Sequence, residues 1–170
     1  LAWGNLPNYK SEVHLNEVNK QYHFLEDLIN EGLGTLFVAG TCFEYGNIEG
    51  EMIESHETNP TNPYALAKDL LRRELFKLKA VKDFNLIWGR LFYCYGEGQN
   101  ENAIYSQLMR SIRSNDEVFN MSSGLQKRDF LSIEDIAHYI SKLALSGKDL
   151  GMINICSGEA QELKTIVEAW

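Results

Sequence analysis

The chain has 170 residues, 44% of them apolar and 24% charged, with a formal net charge of -8. That is the composition of a folded globular protein of one domain or slightly more, and it excludes a disordered chain. The acidic balance argues against a nucleic-acid or anionic-membrane surface, since such surfaces need clustered Lys and Arg. No apolar run reaches the ~20 residues that span a bilayer, and Leu1-Ala2-Trp3-Gly4 lacks the charged start of a signal peptide, so the cytosol is the expected compartment.

From Glu12 to Glu31, Val18, Tyr22, Leu25, Leu28 and Ile29 recur at helical spacing, and Gly32 and Gly34 close the segment. Thr35 to Ala39 follows as a short apolar run between glycines, the pattern of a strand buried on both faces. After a polar loop from Tyr45 to Asn62, Pro63 opens a second helix behind an Asn62 cap. Leu66, Leu70, Leu71, Leu75 and Leu78 form its expected apolar side, and it ends near Lys82. Phe84 to Phe92 is a second β-prone run. Helix, strand, helix, strand with long crossovers implies parallel pairing, the second half of a Rossmann-like doubly wound α/β sheet.

Beyond Gly96 the pattern predicts a helix through Ile104, Leu108, Met109 and Ile112, then strand-like pieces at Val118 to Met121 and Arg128 to Leu131. A helix through Ile133, Ile136, Ile140 and Leu143 begins at a Ser132/Asp135 box. Met152 to Ile155 reads as a further strand, and a last helix starts near Gln161. The chain opens without a cap and ends at Trp170 within that helix, so both ends read as cut. Residues 1–96 are accordingly assigned to the second half of a dinucleotide-binding domain, and residues 97–170 to part of a smaller C-terminal substrate-binding region.

Cys42, Cys94 and Cys156 are three and widely spaced, which is no disulfide framework. The four histidines, His14, His23, His56 and His138, show no ligand spacing, and no metal is expected. Chemistry concentrates elsewhere. Tyr64 and Lys68 stand one helical turn apart at the start of a helix, so both side chains reach one ligand. A free phenol is a poor base at neutral pH, and lowering its pKa by ~3 units needs roughly 4 kcal/mol from a neighbouring cation. The strand before this helix ends in Gly40-Thr41-Cys42-Phe43-Glu44-Tyr45-Gly46. Ligands of open α/β sheets bind outside the carboxyl ends of strands, which places the Thr41 hydroxyl beside a reacting oxygen.

Four segments occur in order: Thr41 with Tyr45-Gly46; Pro63, Tyr64 and Lys68; Arg90-Leu91-Phe92-Tyr93-Cys94-Tyr95-Gly96; and Arg128-Asp129-Phe130 with Ile133, Asp135, Ile136 and Ala137. Together they resemble the extended short-chain dehydrogenases/reductases, the NAD-dependent epimerase/dehydratase family. The resemblance implies a Tyr general acid/base (Tyr64), a Lys that holds the nicotinamide ribose and lowers the Tyr pKa (Lys68), and a Thr that orients the reacting oxygen (Thr41). It also implies that Phe92 lies along the cofactor, and that Tyr93 and Arg128 face a nucleotide-diphospho-sugar, Arg128 at its diphosphate. Tyr93 stands where such enzymes often carry Asn. Without the resemblance, Arg128 would be assigned a surface ion pair with Asp129 or Glu134.

Two departures narrow the expected reaction. Cys42 and Phe43 occupy the places where sugar dehydratases carry acidic groups. Glu44, one position further, should point to the opposite side of an extended segment. Cys42 is one position short of the Cys that some epimerases use, and is expected to be a small buried residue. Within the family the resemblance is nearest to NAD- or NADP-dependent reductases of 4-keto deoxysugars on a nucleotide carrier; Asn5-Leu6-Pro7-Asn8-Tyr9 reads either as a sugar-pocket loop like theirs or as an ordinary Pro/Asn turn. A 4-epimerase that keeps its NAD bound is the alternative, and a non-catalytic binding or regulatory member of the fold the alternative outside enzymes. The glycine-rich dinucleotide turn, and the residue that separates NAD from NADP, do not occur in these 170 residues. Relatives dimerise through a helix matching Pro63 to Lys82, so a homodimer is also expected.

Overall fold

The computed structural model describes residues 3–170; Leu1 and Ala2, the start of the stretch tested above for a signal peptide, lie outside the described residues. Two compact units divide the chain. One comprises Leu1–Leu91 and Tyr139–Ile155, the other Phe92–His138 and Cys156–Trp170. The chain passes from the first unit to the second after Leu91, and Tyr139–Ile155 returns to the first.

The first unit is built on a parallel sheet in the order β1-β2-β6, from β1 (Thr35–Thr41), β2 (Asn85–Leu91) and β6 (Gly151–Ile155). β1 and β2 run in register from Thr35 opposite Asn85 to Thr41 opposite Leu91, and β2 pairs with β6 from Ile87 opposite Gly151. The chain goes from β1 to β2 through α2 (Pro63–Lys79), as parallel pairing requires. On one face, α1 (Val13–Asn30) and α2 pack Val18, Leu25, Ile29, Ala67, Leu71, Leu75 and Leu78 against Leu36, Val38, Leu86 and Trp88. Burial of each such aliphatic side chain contributes about 1.5–3 kcal/mol.

Helix boundaries follow their chemistry. Asn62 caps α2 by accepting the Ala65 amide at 2.9 Å, with Pro63 at the first helical position. α2 ends three residues before the expected Lys82, although turn bonds from Val81 and Lys82 to the Leu78 carbonyl extend it. Gly32, at φ +99°, lets α1 turn out, as the glycine stop predicted.

Two expectations are corrected, for the apolar side of α2 and for the segment Val118 to Met121. Leu66 and Leu70 are each 38% exposed, because they stand one residue off the 64, 67, 68, 71, 75, 78 stripe that faces the core. Within these 170 residues Thr35, Phe37 and Ala39 of β1 are half-buried, whereas the central β2 is buried throughout its middle. Val118 to Met121 forms no strand; Val118 is exposed and finds no ladder partner.

The second unit carries β3 (Tyr93–Tyr95) parallel to β5 (Phe130–Ser132), and β4 (Lys127–Arg128) antiparallel to β7 (Gln161–Glu162). The single strand expected from Arg128 to Leu131 is therefore split at Asp129. Its carboxylate accepts the Ser157 amide at 2.7 Å, the Ser157 hydroxyl at 2.8 Å and the Gly158 amide at 2.8 Å. Helices α3 (Ile104–Arg113) and α5 (Leu163–Ala169) complete the unit, while α4 (Ile133–Ala144) begins here and ends in the first unit. At the start of α4 the Ser132 hydroxyl accepts the Asp135 amide at 3.0 Å and donates to its carboxylate at 2.7 Å, the box anticipated from sequence. Among the described residues no helix is long and apolar enough to cross a membrane.

Candidate active site

The carboxyl end of β1 and the first turns of α2 carry the three side chains singled out from the sequence. Thr41 is the last residue of β1 and the cap of a short 3-10 turn, Cys42–Tyr45. Its Oγ1 accepts the Phe43 amide at 3.3 Å, while its own amide donates to Glu44 Oε1 at 2.9 Å. A hydroxyl has one hydrogen and two lone pairs, so a Thr41 Oγ1 accepting from Phe43 still has a proton to donate.

Tyr64 sits in the first turn of α2 and is 8% exposed. Its ring meets Tyr9 at 5.4 Å, His14 at 5.3 Å and Trp3 at 6.2 Å between centroids, and its amide donates to the Tyr9 carbonyl at 3.2 Å. Tyr9 in turn lies edge-on to Phe43 at 5.4 Å, so these rings connect Tyr64 to the turn that Thr41 caps. Lys68, one turn further along α2, donates from Nζ to the Ala39 carbonyl at 3.0 Å, two residues before Thr41. The same ammonium lies 4.2 Å from the Trp3 ring centre and 6.0 Å from that of Tyr64. Thr41, Tyr64 and Lys68 thus share one end of the first unit.

Burial dominates the electrostatics of these groups. Burial pushes the Tyr64 phenol well above its ordinary pKa, and Tyr9, Glu44 and Cys42 push it further in the same direction. The lowering read from the sequence draws on Lys68 together with a positively charged nicotinamide, whereas the chain's own groups raise the phenol chiefly by desolvating its charged form. Lys68 is brought down to about 8 by burial, with Glu44 opposing the fall. Its ammonium keeps two N–H donors beyond the one given to Ala39, which suits the vicinal hydroxyls of a nicotinamide ribose.

Glu44 is the main residue that sequence reasoning placed wrongly. The segment after Thr41 coils instead of extending, and this turns Glu44 inward until it is fully buried. Burial raises its pKa, while hydrogen bonds from Arg90, the Thr41 amide and Trp88 pull it back. Each of these partners is a donor, which is the environment of a carboxylate. Arg90 Nε lies 2.9 Å from Glu44 Oε2, and its guanidinium stacks 4.4 Å from the Tyr45 ring centre. Arg90 gave a signal that was not followed: a guanidinium inside an apolar strand demands a buried partner. Trp3 and His14 lay in no motif. Trp3 Nε1 donates to His14 Nδ1 at 3.0 Å, which leaves His14 Nε2 to donate to the Asn8 carbonyl at 2.9 Å.

In the second unit, Phe92 follows β2 directly and is half-buried, and Tyr93 opens β3 opposite Phe130. The Arg128 guanidinium lies 5.3 Å from the Tyr93 ring centre and donates to the Lys127 carbonyl at 2.7 Å. Among the described residues the surface ion pair with Asp129 or Glu134 does not form; Asp129 is occupied by Ser157 and Gly158. Tyr93 and Arg128 are therefore brought together. Cys42 is buried, as expected of a small core residue.

A parallel α/β sheet with a Tyr and a Lys one helical turn apart beside a strand-end Thr defines a Rossmann-like protein of the short-chain dehydrogenase/reductase type. The chain belongs to the NAD dependent epimerase/dehydratase family, whose model matches residues 3–156. It is similar to a dTDP-6-deoxy-L-talose 4-dehydrogenase (NAD(+)) of Aggregatibacter actinomycetemcomitans, 35% identical over 99% of this chain and 62% of that protein. It also resembles a GDP-6-deoxy-D-mannose reductase of Pseudomonas aeruginosa, 24% identical over 79% of this chain and 47% of that protein. Among solved structures, the UDP-N-acetylglucosamine 4-epimerase from Methanobrevibacter ruminantium M1 in complex with UDP-N-acetylmuramic acid shares the fold. Its TM-score is 0.85 at 22% identity, over 98% of this chain and 56% of that one. The chain thus spans about half to two thirds of the length of these relatives.

Proposed function

We propose that this chain carries the proton-transfer centre of an NAD- or NADP-dependent oxidoreductase acting at C4 of a nucleotide-diphospho-deoxysugar. The 35% relative named as a 4-dehydrogenase supports the position of attack, and the second relative, named as a reductase, supports the same chemistry run in the other direction. The observation that carries the reading is the convergence of Tyr64 and Lys68 on the β1 end capped by Thr41.

When bound, the dinucleotide supplies or accepts the hydride. The chain's own residues manage the proton and the geometry. Thr41 donates its hydroxyl hydrogen to the substrate oxygen and fixes that oxygen's direction. Tyr64 gives a proton to the alkoxide in reduction, or takes one from the alcohol in oxidation. Lys68 would hold the ribose through its two remaining donors, and Phe92 would line the cofactor. Tyr93 and Arg128 would face the sugar nucleotide, the guanidinium pairing with the diphosphate in the bidentate manner for which it is suited. The second copy expected in a homodimer would cover the exposed Leu66 and Leu70. Leu66→Asp should then shift the sedimentation coefficient from dimer to monomer, and a native monomer would remove that part of the proposal.

Tyr64→Phe in the full-length protein is the test. Turnover of a 4-keto nucleotide sugar should drop by about 10²–10⁴-fold, with the nucleotide-sugar Kd little changed. Near-native turnover would refute the role. Consumption of NAD(P)H in proportion to product separates this reading from a 4-epimerase, which shows no net consumption.

A further inference from the structure

The carboxylate of Glu44 takes no part in the proton transfer proposed above, yet it is bonded directly to the backbone that holds Thr41. Its Oε1 accepts the Thr41 amide at 2.9 Å and Trp88 Nε1 at 3.0 Å; its Oε2 accepts Trp88 Nε1 at 3.1 Å and Arg90 Nε at 2.9 Å. Arg72 Nε, on α2, stands 3.8 Å from Oε2. Room for this carboxylate is made by Gly40, where a Cβ would fall 2.6 Å from Glu44 Oε1.

We infer that Glu44 is a positioning residue: its buried carboxylate, bonded to the Thr41 amide and paired with Arg90, locks the strand end that presents the Thr41 hydroxyl. The inference rests on the acid/base role proposed for Tyr64. Two features distinguish it from a purely structural ion pair. The bond to the Thr41 amide couples the pair to the candidate site and not only to the core, and the negative charge acts on both Tyr64 and Lys68, raising each. The groups facing this cluster are Cys42 and Tyr45 from the 3-10 turn, Trp88 and Arg90 from β2, and Arg72 from α2. Tyr9 and His14 face Tyr64 from the N-terminal segment and α1. Of these, Arg90 opposes the field of Glu44 most directly.

The experiment compares Glu44→Gln and the charge-neutral pair Glu44→Gln/Arg90→Gln with the native full-length protein. The titration of the Lys68 ε-carbon, followed by NMR, needs no turnover. It should fall below the native value by about half a unit or more in Glu44→Gln, and by less in the pair, where loss of the Arg90 cation offsets part of the loss of the carboxylate. The pH profile of kcat/KM should move in the same direction on the limb governed by Tyr64. A folded Glu44→Gln protein with the Lys68 titration and the profile at native positions would overturn the inference and leave Glu44 a structural residue. If neither variant folds, the reciprocal measurement decides: Lys68→Met must raise the titration of the Glu44 carboxyl carbon, and an unmoved titration refutes the coupling. Tyr64→Phe in the same assay keeps the two readings apart. Loss of activity there, with unmoved Glu44→Gln profiles, sinks only the positioning role, whereas retained activity sinks the acid/base reading itself.

Discussion

Lys68 offers the sharpest quantitative test, because burial and titration point to one pH window. Its side chain is 7% exposed and its pKa lies at about 8 in the folded chain, against 10.5 for an exposed lysine. Between those values the unfolded chain binds a proton that the folded chain has released, so stability rises with pH. Integrated from pH 7 to pH 10, the gain is roughly 2–3 kcal/mol. Tyr64 sets the upper edge of the window: its raised pKa means that the folded chain keeps a proton the unfolded chain loses, and stability falls once the pH passes the ordinary phenol value. The assay is urea unfolding of the native chain and of Lys68→Met at pH 7, 8, 9 and 10. Groups common to both cancel in the difference. The native chain should gain on the variant by the stated amount, most of it above pH 8. A gap that stays flat across this range would refute the claim that the ammonium is buried at a cost.

Two further perturbations probe the same end of the sheet and its core. Thr41→Val removes both the donor proposed for the substrate oxygen and the cap that accepts the Phe43 amide. The full-length variant should lose about 10²-fold in kcat and about 1 kcal/mol of stability, and Thr41→Ser should restore most of both; a Thr41→Val enzyme with native kcat would dismiss the hydroxyl. Gly89→Ala places a Cβ 2.6 Å from Phe37 Cζ and 2.8 Å from Ile155 Cδ1, across the central strand. Overpacking should cost about 1–3 kcal/mol in urea unfolding, and relief by Phe37→Leu in the double variant would show that the aromatic ring is the obstacle.

What the sequence revealed and what it hid follow from the range of the interactions involved. Asn62, Pro63 and the leucines of α2 act within one helix, so cap and start were legible, and the helix carried Tyr64 and Lys68 to the right end of the sheet. The parallel order of β1 and β2 followed from the length of the crossover. Periodicity alone did not separate Leu66 and Leu70 from Leu71 and Leu75, because all four lie within one broad apolar arc, and the sheet covers only part of it. The split at Asp129 depends on Ser157 and Gly158, 28 and 29 residues away, and left no local trace. His14 and Trp3 approach Tyr64 from a segment some fifty residues earlier in the chain, with no motif spacing to announce them.

Glu44 and Arg90 show why local reasoning failed at the place that matters most. A strand that simply continued past Thr41 would have sent Glu44 outward, and alternation predicted that. Instead Thr41 accepts the Phe43 amide and Glu44 returns to the Thr41 amide, so a capping box coils the chain within three residues. That box alone is a weak local preference. Arg90 makes it strong, since its guanidinium is 1% exposed and would stand unpaired in the sheet if Glu44 pointed away. Leaving one such charge alone costs about 3–5 kcal/mol, more than the preference of the segment for extension. Yet replacing both members by apolar residues is often neutral or stabilising, so stability by itself does not explain why a carboxylate and a guanidinium stand behind Thr41. The pair makes the conformation of the Thr41 turn depend on a residue of the neighbouring strand, and it places a fixed charge where Tyr64 and Lys68 titrate.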